Sequence, residues 1–413
     1  MKVVLINHSD RRGGASVVTL RLTEALRDLG VDARMLVGRK ETDSPFVEEA
    51  PAMRVGGHPM SFYKEHLRIF SQNGFSKKRL FMASIASDGL PLSRHPLVEA
   101  ADAVILGWVN QGLLSLDEIG RIATAKPTLW VMHDQWNYTG VCHHTGNCER
   151  YTEHCGECPL MGTMAGRHDL SYRTFSRKQK LYAKAPITYV AVSEWLAGRA
   201  RRSPLLGEQN VVCIPNAFPV EKFGQKPRFS RKELGLPEGK KLILFCAARI
   251  DDPGKGLPEA IALLNGLAEQ GDAPEAAAVF VGTCRNPQAL EELKLPFIAT
   301  GAVDSEKIPS LMSHAAAVLS TSPFETLSTT MIEAQASGAV PVCYTHDGRG
   351  DIVIDGVNGF SLPHGDTAGG IRVLRNALEN PIGAEELKKA ADRYASHTVG
   401  RRYISLIEES LRK

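Results

Sequence analysis

The sequence predicts an α/β protein with two parallel sheets, each covered by helices on both faces. Short apolar runs alternate with helix-like segments along the chain, and this alternation is typical of parallel sheets. A length of 413 residues is sufficient for two or three domains. A proline-rich, charged stretch over residues 218–239 separates two series of strand-like runs and predicts the domain boundary.

The first series opens with a strand over residues 2–6 and a polar loop that contains Gly13 and Gly14. Ser16 is the predicted N-cap of a helix over residues 17–29, which Gly30 ends. Glycines in this loop would let a ligand approach the backbone, although the G-x-G-x-x-G fingerprint is absent. The later strand-like runs of this series are residues 103–106, 128–132, 187–192 and 211–214.

The second series predicts another parallel sheet. Ligands of open α/β sheets bind beyond the carboxyl ends of the strands, so the residues that follow each strand are the candidates for function. The predicted strands are residues 242–247, 278–281, 297–300, 316–319 and 340–344.

Two carboxylates, Glu325 and Glu333, stand eight residues apart across a predicted strand-to-helix junction. A helix over residues 326–337, ended by Gly338, would place Glu325 at the helix mouth, where backbone N–H groups and the helix dipole favour a diphosphate. A rise of about 1.5 Å per residue would offset the carboxylates by roughly 12 Å. Both can accept hydrogen bonds from sugar hydroxyls. The alternative is a helix with two solvated glutamates, and the spacing alone does not decide.

Two cations, Arg249 and Lys255, follow the first strand of the second series. A guanidinium fork and a mobile ammonium together can neutralise a leaving diphosphate. Taken alone, such residues are more often surface charges. Their position 76 residues before Glu325, counted from Arg249, favours a shared anion site.

The two pairs together resemble the R-x5-K and E-x7-E signatures of the family 4 retaining glycosyltransferases. In that family the basic pair binds the donor diphosphate. The first Glu contacts the donor sugar, and the second Glu contacts the ribose. The resemblance assigns these roles to Arg249, Lys255, Glu325 and Glu333. The family often reads E-x-F-G-L, so this chain departs from it at three positions whose backbone would run over the phosphates: Leu327, Ser328 and Thr329.

His133 follows the strand over residues 128–132, where the same family carries a His that contacts the donor sugar. The alternative is a core histidine bonded to backbone. Asn216, after the strand over residues 211–214, is a further strand-end residue near the expected crossover. The stretch 95–158 also resembles a narrower set, the colanic-acid-type enzymes of bacterial surface polysaccharide assembly, with Gly107 where those enzymes frequently have a His.

The resemblance implies a GT-B architecture, in which two facing Rossmann-like domains enclose a cleft. The expected division is an acceptor-side domain over 1–218 with a Cys-rich insertion over 142–158, a nucleotide-sugar domain over 219–385, and a last segment over 386–413 that crosses back to the first domain. The implied reaction moves a hexose from a nucleotide-diphosphate sugar to a glycan or lipid-diphosphate-linked acceptor with retained configuration. No D-x-D triplet occurs, so no catalytic divalent metal is expected.

Four of the eight cysteines fall within 17 residues: Cys142, Cys148, Cys155 and Cys158. The final C-x2-C-P resembles a metal knuckle, and four thiolates suit a structural zinc ion. Free thiols, an iron–sulfur cluster or disulfides are alternatives, and His143, His144 or His154 could replace a sulfur ligand. The N-terminus lacks an apolar signal-peptide region, which predicts a cytoplasmic protein in which lasting disulfides are rare.

Charge gives no global sign of nucleic-acid binding, because basic residues exceed acidic ones by only three. Basic residues alternate with aromatic ones around residues 62–81, which fits either an anionic membrane surface or a solvated helix face. No apolar run approaches the ~20 residues that span a bilayer, so a membrane role would be peripheral, at the inner face.

Two other functions fit the same sequence: a nucleotide-sugar epimerase of similar architecture, and a non-catalytic, zinc-stabilised glycan-binding protein. An epimerase needs no acceptor, and a binding protein shows no turnover. Nucleotide release that depends on an acceptor therefore separates all three.

Overall fold

The computed structural model describes residues 1–269 and 275–412 and divides the chain into two compact units. Unit 1 comprises Met1–Ala217 together with the C-terminal residues from Ser396, and unit 2 comprises Phe218–Ala395. Each unit contains one large parallel sheet with helices packed on it. The prediction of two parallel-sheet α/β domains is therefore confirmed.

Unit 1 is built on a seven-stranded sheet of order β3-β2-β1-β6-β7-β8-β9, and a small antiparallel pair, β4-β5, lies outside it. Its strands are β1 (Lys2–Ser9), β2 (Asp32–Arg39), β3 (Val47–Glu49), β4 (Arg54–Val55), β5 (His58–Pro59), β6 (Ala103–Leu106), β7 (Thr128–Met132), β8 (Ile187–Ala191) and β9 (Asn210–Cys213). Its helices are α1 (Gly14–Asp28), α2 (Met60–Gln72), α3 (Pro96–Ala100), α4 (Leu116–Ala125), α5 (Leu170–Tyr182), α6 (Glu194–Arg201) and α13 (Ser396–Leu411).

Unit 2 is built on a six-stranded parallel sheet of order β12-β11-β10-β13-β14-β15. Its strands are β10 (Lys241–Arg249), β11 (Ala276–Thr283), β12 (Phe297–Gly301), β13 (Ala315–Ser320), β14 (Val340–Cys343) and β15 (Phe360–Ser361). Its helices are α7 (Val220–Phe223), α8 (Leu257–Glu269), α9 (Ile308–His314), α10 (Thr329–Ser337), α11 (Thr367–Glu379) and α12 (Ala384–Ala391).

The sheet strands that the sequence predicted are those with continuous apolar runs. β6 and β7 are buried at every position, because helices cover both faces of a parallel sheet. β2 was missed. Its first half alternates exposed Asp32 and Arg34 with buried residues, and this pattern lacks the continuous apolar run of its neighbours.

The first helix begins earlier than predicted. α1 starts at Gly14 with Gly13 as its N-cap (φ 84°), so the prediction of Ser16 as N-cap is wrong. Ser16 is buried, and its hydroxyl accepts a hydrogen bond from the Asn7 side-chain amide at 3.1 Å. The hydroxyl therefore satisfies a polar group at the end of β1 instead of capping the helix.

The predicted segment 386–413 begins too early. α12 packs against α10, and Leu387 lies in the apolar core of unit 2, so residues up to Ala395 belong to that unit. Only α13 belongs to unit 1, where it packs on α1 and buries Tyr403 and Ile407. Among the residues that the structure describes, no helix is both long and apolar enough to cross a bilayer.

Candidate functional site

The Arg249 side chain lies at the carboxyl end of β10, above a tight turn over Pro253–Lys255. Asp252 fixes the turn by accepting the backbone N–H of Gly254 at 2.9 Å. One guanidinium nitrogen of Arg249 lies 2.5 Å from Asp252 Oδ2, and Nε lies 3.6 Å from Asp251 Oδ1. The two carboxylates therefore hold the Arg249 guanidinium at the strand end.

Lys255 and Glu325 form an ion pair. Lys255 Nζ donates to Glu325 Oε1 at 2.8 Å, with the side chains 39% and 21% exposed. The structure thus brings together two predicted site residues that are 70 positions apart. An ammonium has three donors, so Lys255 can also bind an anion.

Gly256 holds the Lys255 turn against the end of β13. Its backbone is left-handed (φ 69°), and a Cβ there would lie 2.0 Å from the Thr321 carbonyl oxygen. The Thr321 hydroxyl donates to the Gly256 carbonyl oxygen at 2.6 Å. Only glycine permits this close approach of the two backbones.

We expect Gly256→Ala to destabilise unit 2 by more than the cost of its left-handed backbone, because the new methyl group also overlaps Thr321. Gly235→Ala is the matched control: Gly235 has φ 66°, with no atom within 4 Å of an added Cβ. The control should lose about 1–2 kcal/mol of unfolding free energy, and Gly256→Ala clearly more. Denaturant unfolding of both variants measures the difference. Equal losses would show that the backbones are not packed this closely.

A buried ion pair supports the backbone of Glu325. Arg349 donates to both carboxylate oxygens of Asp347, from Nε at 2.9 Å and from Nη2 at 2.7 Å, and both side chains are fully buried. Asp347 Oδ2 also accepts the backbone N–H of Glu325 at 2.8 Å, and Gly348 N–H donates to the Glu325 carbonyl oxygen at 3.1 Å. The pair therefore fixes the position of Glu325. The sequence alone indicated only a polar loop over residues 346–351.

The predicted helix over residues 326–337 is shorter, since α10 begins at Thr329 with Ser328 as N-cap. Glu325 lies in the preceding loop and not at the helix mouth, so the offset of roughly 12 Å no longer follows. Leu327 and Ser328 are buried, and the Ser328 side chain makes no capping hydrogen bond. The Ser328 side chain therefore does not satisfy the first-turn amides of α10. Gly338 ends the helix in a left-handed conformation, as predicted.

Glu333 lies on the half-buried side of α10, above the sheet. Burial raises the pKa of the Cys246 thiol in β10 to about 12, and the nearby Glu333 carboxylate contributes. Gln335, two residues on, anchors the helix by donating to the carbonyl oxygens of Ile352 and Asn358 at 3.1 and 3.0 Å. The helix that carries Glu333 is therefore firmly held in unit 2.

Gly13 and Gly14 lie in unit 1, where a Cβ at either position would meet no atom within 4 Å. The loop is open at these glycines, so ligand approach there is sterically free. Asn7 fixes the neighbouring strand end: its side chain is buried, accepts the Trp108 backbone N–H at 2.6 Å and donates to the Ser9 carbonyl oxygen at 2.7 Å.

His133 follows β7, as predicted, and is half-buried in unit 1. Burial lowers the pKa of His133 to about 4, against the opposing effect of Asp134, so the imidazole is neutral near pH 7. It lines a small cavity together with Asn216, Gly107 and Tyr403. The structure thus brings His133 and Asn216 together.

Gly107 occupies the position where the colanic-acid-type enzymes frequently have a His. An added Cβ would lie 2.6 Å from Asn7 Oδ1 and 2.9 Å from Thr19 Oγ1. A larger side chain could not enter without moving Asn7, which fixes the Trp108 backbone. The packing of Asn7 therefore accounts for this departure from the pattern.

A polar network beside His133 was not predicted. Asp134 Oδ2 lies 2.8 Å from Trp108 Nε1 and 2.7 Å from His143 Nδ1, and His143 Nε2 lies 2.9 Å from Ser84 Oγ. Burial would raise the pKa of Asp134, but the charge and hydrogen bond of His143 outweigh it and lower that pKa to about 2. The H-D dipeptide after a strand was the signal that could have indicated the network.

Two of the histidines predicted as alternative metal ligands already use both ring nitrogens in contacts with neighbouring residues. Both ring nitrogens of His143 are engaged, by Asp134 and Ser84. The ring nitrogens of His154 contact the Cys155 carbonyl oxygen at 2.8 Å and Ser176 Oγ at 3.2 Å. Neither imidazole can ligate a metal without giving up a hydrogen bond.

The four clustered cysteines are free thiols and line one pocket. The Gly140 backbone N–H donates to Cys155 Sγ at 3.1 Å. Lys178, fully buried close by, donates to the carbonyl oxygens of Trp136 and Thr139 at 2.5 and 3.0 Å. Within residues 1–269 and 275–412, no three His, Cys, Asp or Glu side chains are arranged as a group that could hold a metal ion. The sulfurs would have to move together to ligate one, and the structural zinc ion stays a prediction.

Metal analysis tests the zinc prediction. We expect about one zinc ion per chain, and loss of the ion in Cys155→Ser, because a tetrahedral site needs all four thiolates. Cys284→Ser in unit 2 is the control and should keep the metal. Folded, metal-free protein with four reactive thiols in this segment would contradict the prediction.

The positions of the site residues define a class: an α/β protein whose second unit carries a Lys–Glu ion pair beyond the carboxyl ends of its central strands, β10 and β13. The family model described as glycosyl transferases group 1 matches residues 227–395, nearly all of unit 2. Unit 2 is therefore similar in sequence to the glycosyl transferases of group 1.

Solved structures are similar over the whole chain. Anabaena HepE, in complex with UDP and glucose, has a TM-score of 0.62 at 16% identity and covers 99% of this chain and 100% of its own. Sucrose-phosphate synthase from Thermosynechococcus elongatus has a TM-score of 0.65 at 15% identity, covering 99% and 98%. These similarities confirm the predicted GT-B fold class.

A curated relative is similar over part of the chain. The sulfoquinovosyl transferase of Arabidopsis thaliana is 26% identical over 181 residues, which are 42% of this chain. The chain spans about a third of the length of that relative, 34%.

Proposed function

We propose that this protein is a retaining glycosyltransferase that moves a hexose from a nucleotide-diphosphate sugar to a glycan or lipid-diphosphate-linked acceptor. The observation that carries the proposal is the Lys255–Glu325 ion pair, which joins the two predicted donor motifs inside the region of the family match. A solved protein of the same fold supports it, since Anabaena HepE binds UDP and glucose in its crystal structure.

The difficult step is departure of the nucleotide diphosphate. The bond between the anomeric carbon and the phosphate oxygen breaks, and negative charge develops on the diphosphate. Arg249 and Lys255 stabilise that charge, together with backbone N–H groups near Leu327 and Ser328. Fixed charges of this kind can make the largest contribution to catalysis. The chain has no D-x-D triplet, so the proposed reaction uses these two cations without a catalytic divalent metal ion.

Donor binding changes the contacts of the Lys255–Glu325 ion pair. When the diphosphate arrives, Lys255 exchanges part of its contact with Glu325 for a phosphate oxygen. The released carboxylate then accepts a hydrogen bond from a sugar hydroxyl, while Asp347 holds its backbone in place. Binding of phosphate and of sugar is therefore linked through one pair of residues.

The remaining roles follow the resemblance. His133, whose lowered pKa keeps the imidazole neutral near pH 7, hydrogen-bonds the sugar, and Glu333 accepts hydrogen bonds from the ribose. Gly13 and Gly14 leave room for a ligand next to the backbone. The acceptor hydroxyl attacks the face that the diphosphate leaves, and its proton passes to the departing phosphate oxygen, so the anomeric configuration is retained.

The proposed setting is bacterial surface polysaccharide synthesis at the cytoplasmic face of the membrane. The resemblance of residues 95–158 to colanic-acid-type enzymes supports this setting. A lipid-diphosphate-linked acceptor would be presented at that face.

Thermal unfolding with UDP, GDP, ADP, CDP and dTDP and their sugar conjugates tests donor binding. A ligand specific to the folded state contributes about 2.7 kcal/mol at 100 times its Kd. We expect one nucleotide family to raise the Tm, and Glu333→Gln to weaken that shift through loss of the ribose contact. Glu291→Gln, at an exposed position of unit 2, is the control. No shift with any nucleotide in folded protein would contradict the proposal.

A further inference from the structure

Exposed large apolar side chains concentrate in one part of unit 1. Of the fourteen such residues among those that the structure describes, eight lie between positions 53 and 82, and six are spread over the remainder. We call residues 53–82 the basic–apolar segment. Its exposed apolar side chains are Met53, Val55, Met60, Tyr63, Leu67, Phe75, Phe81 and Met82.

Helix α2, at the centre of this segment, is apolar on both sides. Its buried side carries Phe62 and Ile69. The opposite side follows the spacing of a single helix face and exposes Met60, Tyr63 and Leu67, the last at 69%. A helix face that only met water would carry polar residues there, so the exposed stripe indicates an apolar partner.

Contacts on the buried side of α2 hold the helix, and with it the exposed apolar stripe, in place. The His66 ring packs between those of Phe62 and Phe81 in tilted contacts, with centroid distances of 4.0 and 5.1 Å. Glu65, on the buried side of α2, accepts hydrogen bonds from the backbone N–H groups of Ile85 and Ala86 at 2.7 and 2.9 Å. The helix is therefore held in place while its apolar side chains face outward.

The charges of the basic–apolar segment indicate which kind of partner it binds. The segment contains six basic residues, while its one acidic residue, Glu65, lies on the buried side of α2. Lys64 and Arg68 border the apolar stripe on α2. Two of the six basic residues are paired with acidic residues outside the segment, Arg68 with Asp88 and Arg54 with Glu49. The basic residues are Arg54, Lys64, Arg68, Lys77, Lys78 and Arg79. Cations beside an apolar stripe complement anionic headgroups and the acyl region below them.

We infer that the basic–apolar segment docks this protein on the surface of an anionic phospholipid bilayer. Leu67, Phe75 and Phe81 enter the boundary between headgroups and acyl chains, and the lysines contact the lipid phosphates. The inference rests on the proposed function in one respect: docking would bring the enzyme to a lipid-linked acceptor. The docking itself needs neither donor nor acceptor.

Co-sedimentation of the full chain with vesicles tests the inference. Vesicles of phosphatidylcholine with one quarter phosphatidylglycerol should bind the protein, and pure phosphatidylcholine much less. Near an anionic surface each Lys or Arg is worth about 1 kcal/mol, so Lys77→Glu/Lys78→Glu should weaken binding on the order of 25-fold or more. Leu67→Asn/Phe81→Asn should weaken binding even at low salt, because it removes apolar insertion.

Matched controls lie in unit 2. Lys226→Glu/Lys232→Glu makes the same charge change at exposed sites, and Ile354→Asn/Val357→Asn removes two exposed apolar residues. Both should bind like the wild type. Equal binding by all variants would overturn the inference, as would size-exclusion evidence that Leu67→Asn/Phe81→Asn breaks a dimer that binds no vesicles. Nucleotide stabilisation, measured on the same variants, should not change, so a failure of docking is distinct from a failure of the donor site.

Discussion

Lys255→Ala should reduce donor-dependent turnover by about 10²–10³-fold, because it removes a fixed positive charge from the departing diphosphate. Stability should hardly change. The Lys255–Glu325 pair is partly exposed, and pairs of this kind contribute about 0–1 kcal/mol. Steady-state kinetics beside thermal unfolding of the same preparation measures both effects.

Lys389→Ala, at an exposed position on α12, is the control for loss of a lysine in unit 2 and should keep full turnover. Lys255→Arg keeps the charge but changes its shape and reach, so we expect partial activity. Full activity in Lys255→Ala would remove this residue from the donor site, and a large fall in Tm would show that the pair is mainly structural.

Arg349→Met should cause the largest loss of stability, because it leaves the Asp347 carboxylate buried without its cation. Breaking a buried pair by removing one partner costs about 3–5 kcal/mol, and each kcal/mol lowers the Tm of a unit of this size by roughly 2–4 °C. Donor binding should fall as well, because Asp347 holds the backbone of Glu325. Calorimetry with and without nucleotide measures both losses.

The comparison for this variant is Arg228→Ala, which removes one partner of an exposed ion pair with Glu306. That change should cost less than about 1 kcal/mol. If the two variants lose the same stability, the Asp347–Arg349 pair does not support the loop as described.

The sequence predicted most strands of the two sheets within a few residues, because buried parallel strands are continuous apolar runs. It could not place the start of α10. Leu327 and Ser328 are residue types that a helix accepts, but Gly348 and Asp347 hydrogen-bond the preceding backbone at Glu325, which lies in a loop. Hydrogen bonds from a distant loop decide that boundary, and no local pattern shows them.

Some residues of the candidate site could likewise be predicted from the sequence, and others could not. Arg249, Lys255 and Glu325 could be found from spacing, because their chemistry follows strand ends. The Asp347–Arg349 pair and the Asp134–His143 pair could not, because each depends on burial that the fold creates. Gly107 appeared as a departure from a pattern, and only the packed Asn7 side chain explains it.

Acceptor-dependent release of nucleotide is the measurement that decides whether this protein transfers a glycosyl group. Purified protein is incubated with the sugar nucleotide that stabilises it, with and without a lipid extract that contains diphosphate-linked acceptors. We predict release of nucleoside diphosphate that depends on the extract and is lost in Lys255→Ala. Release that is independent of acceptor, conversion of the donor to an epimer, or no turnover by folded, donor-bound protein would contradict the account.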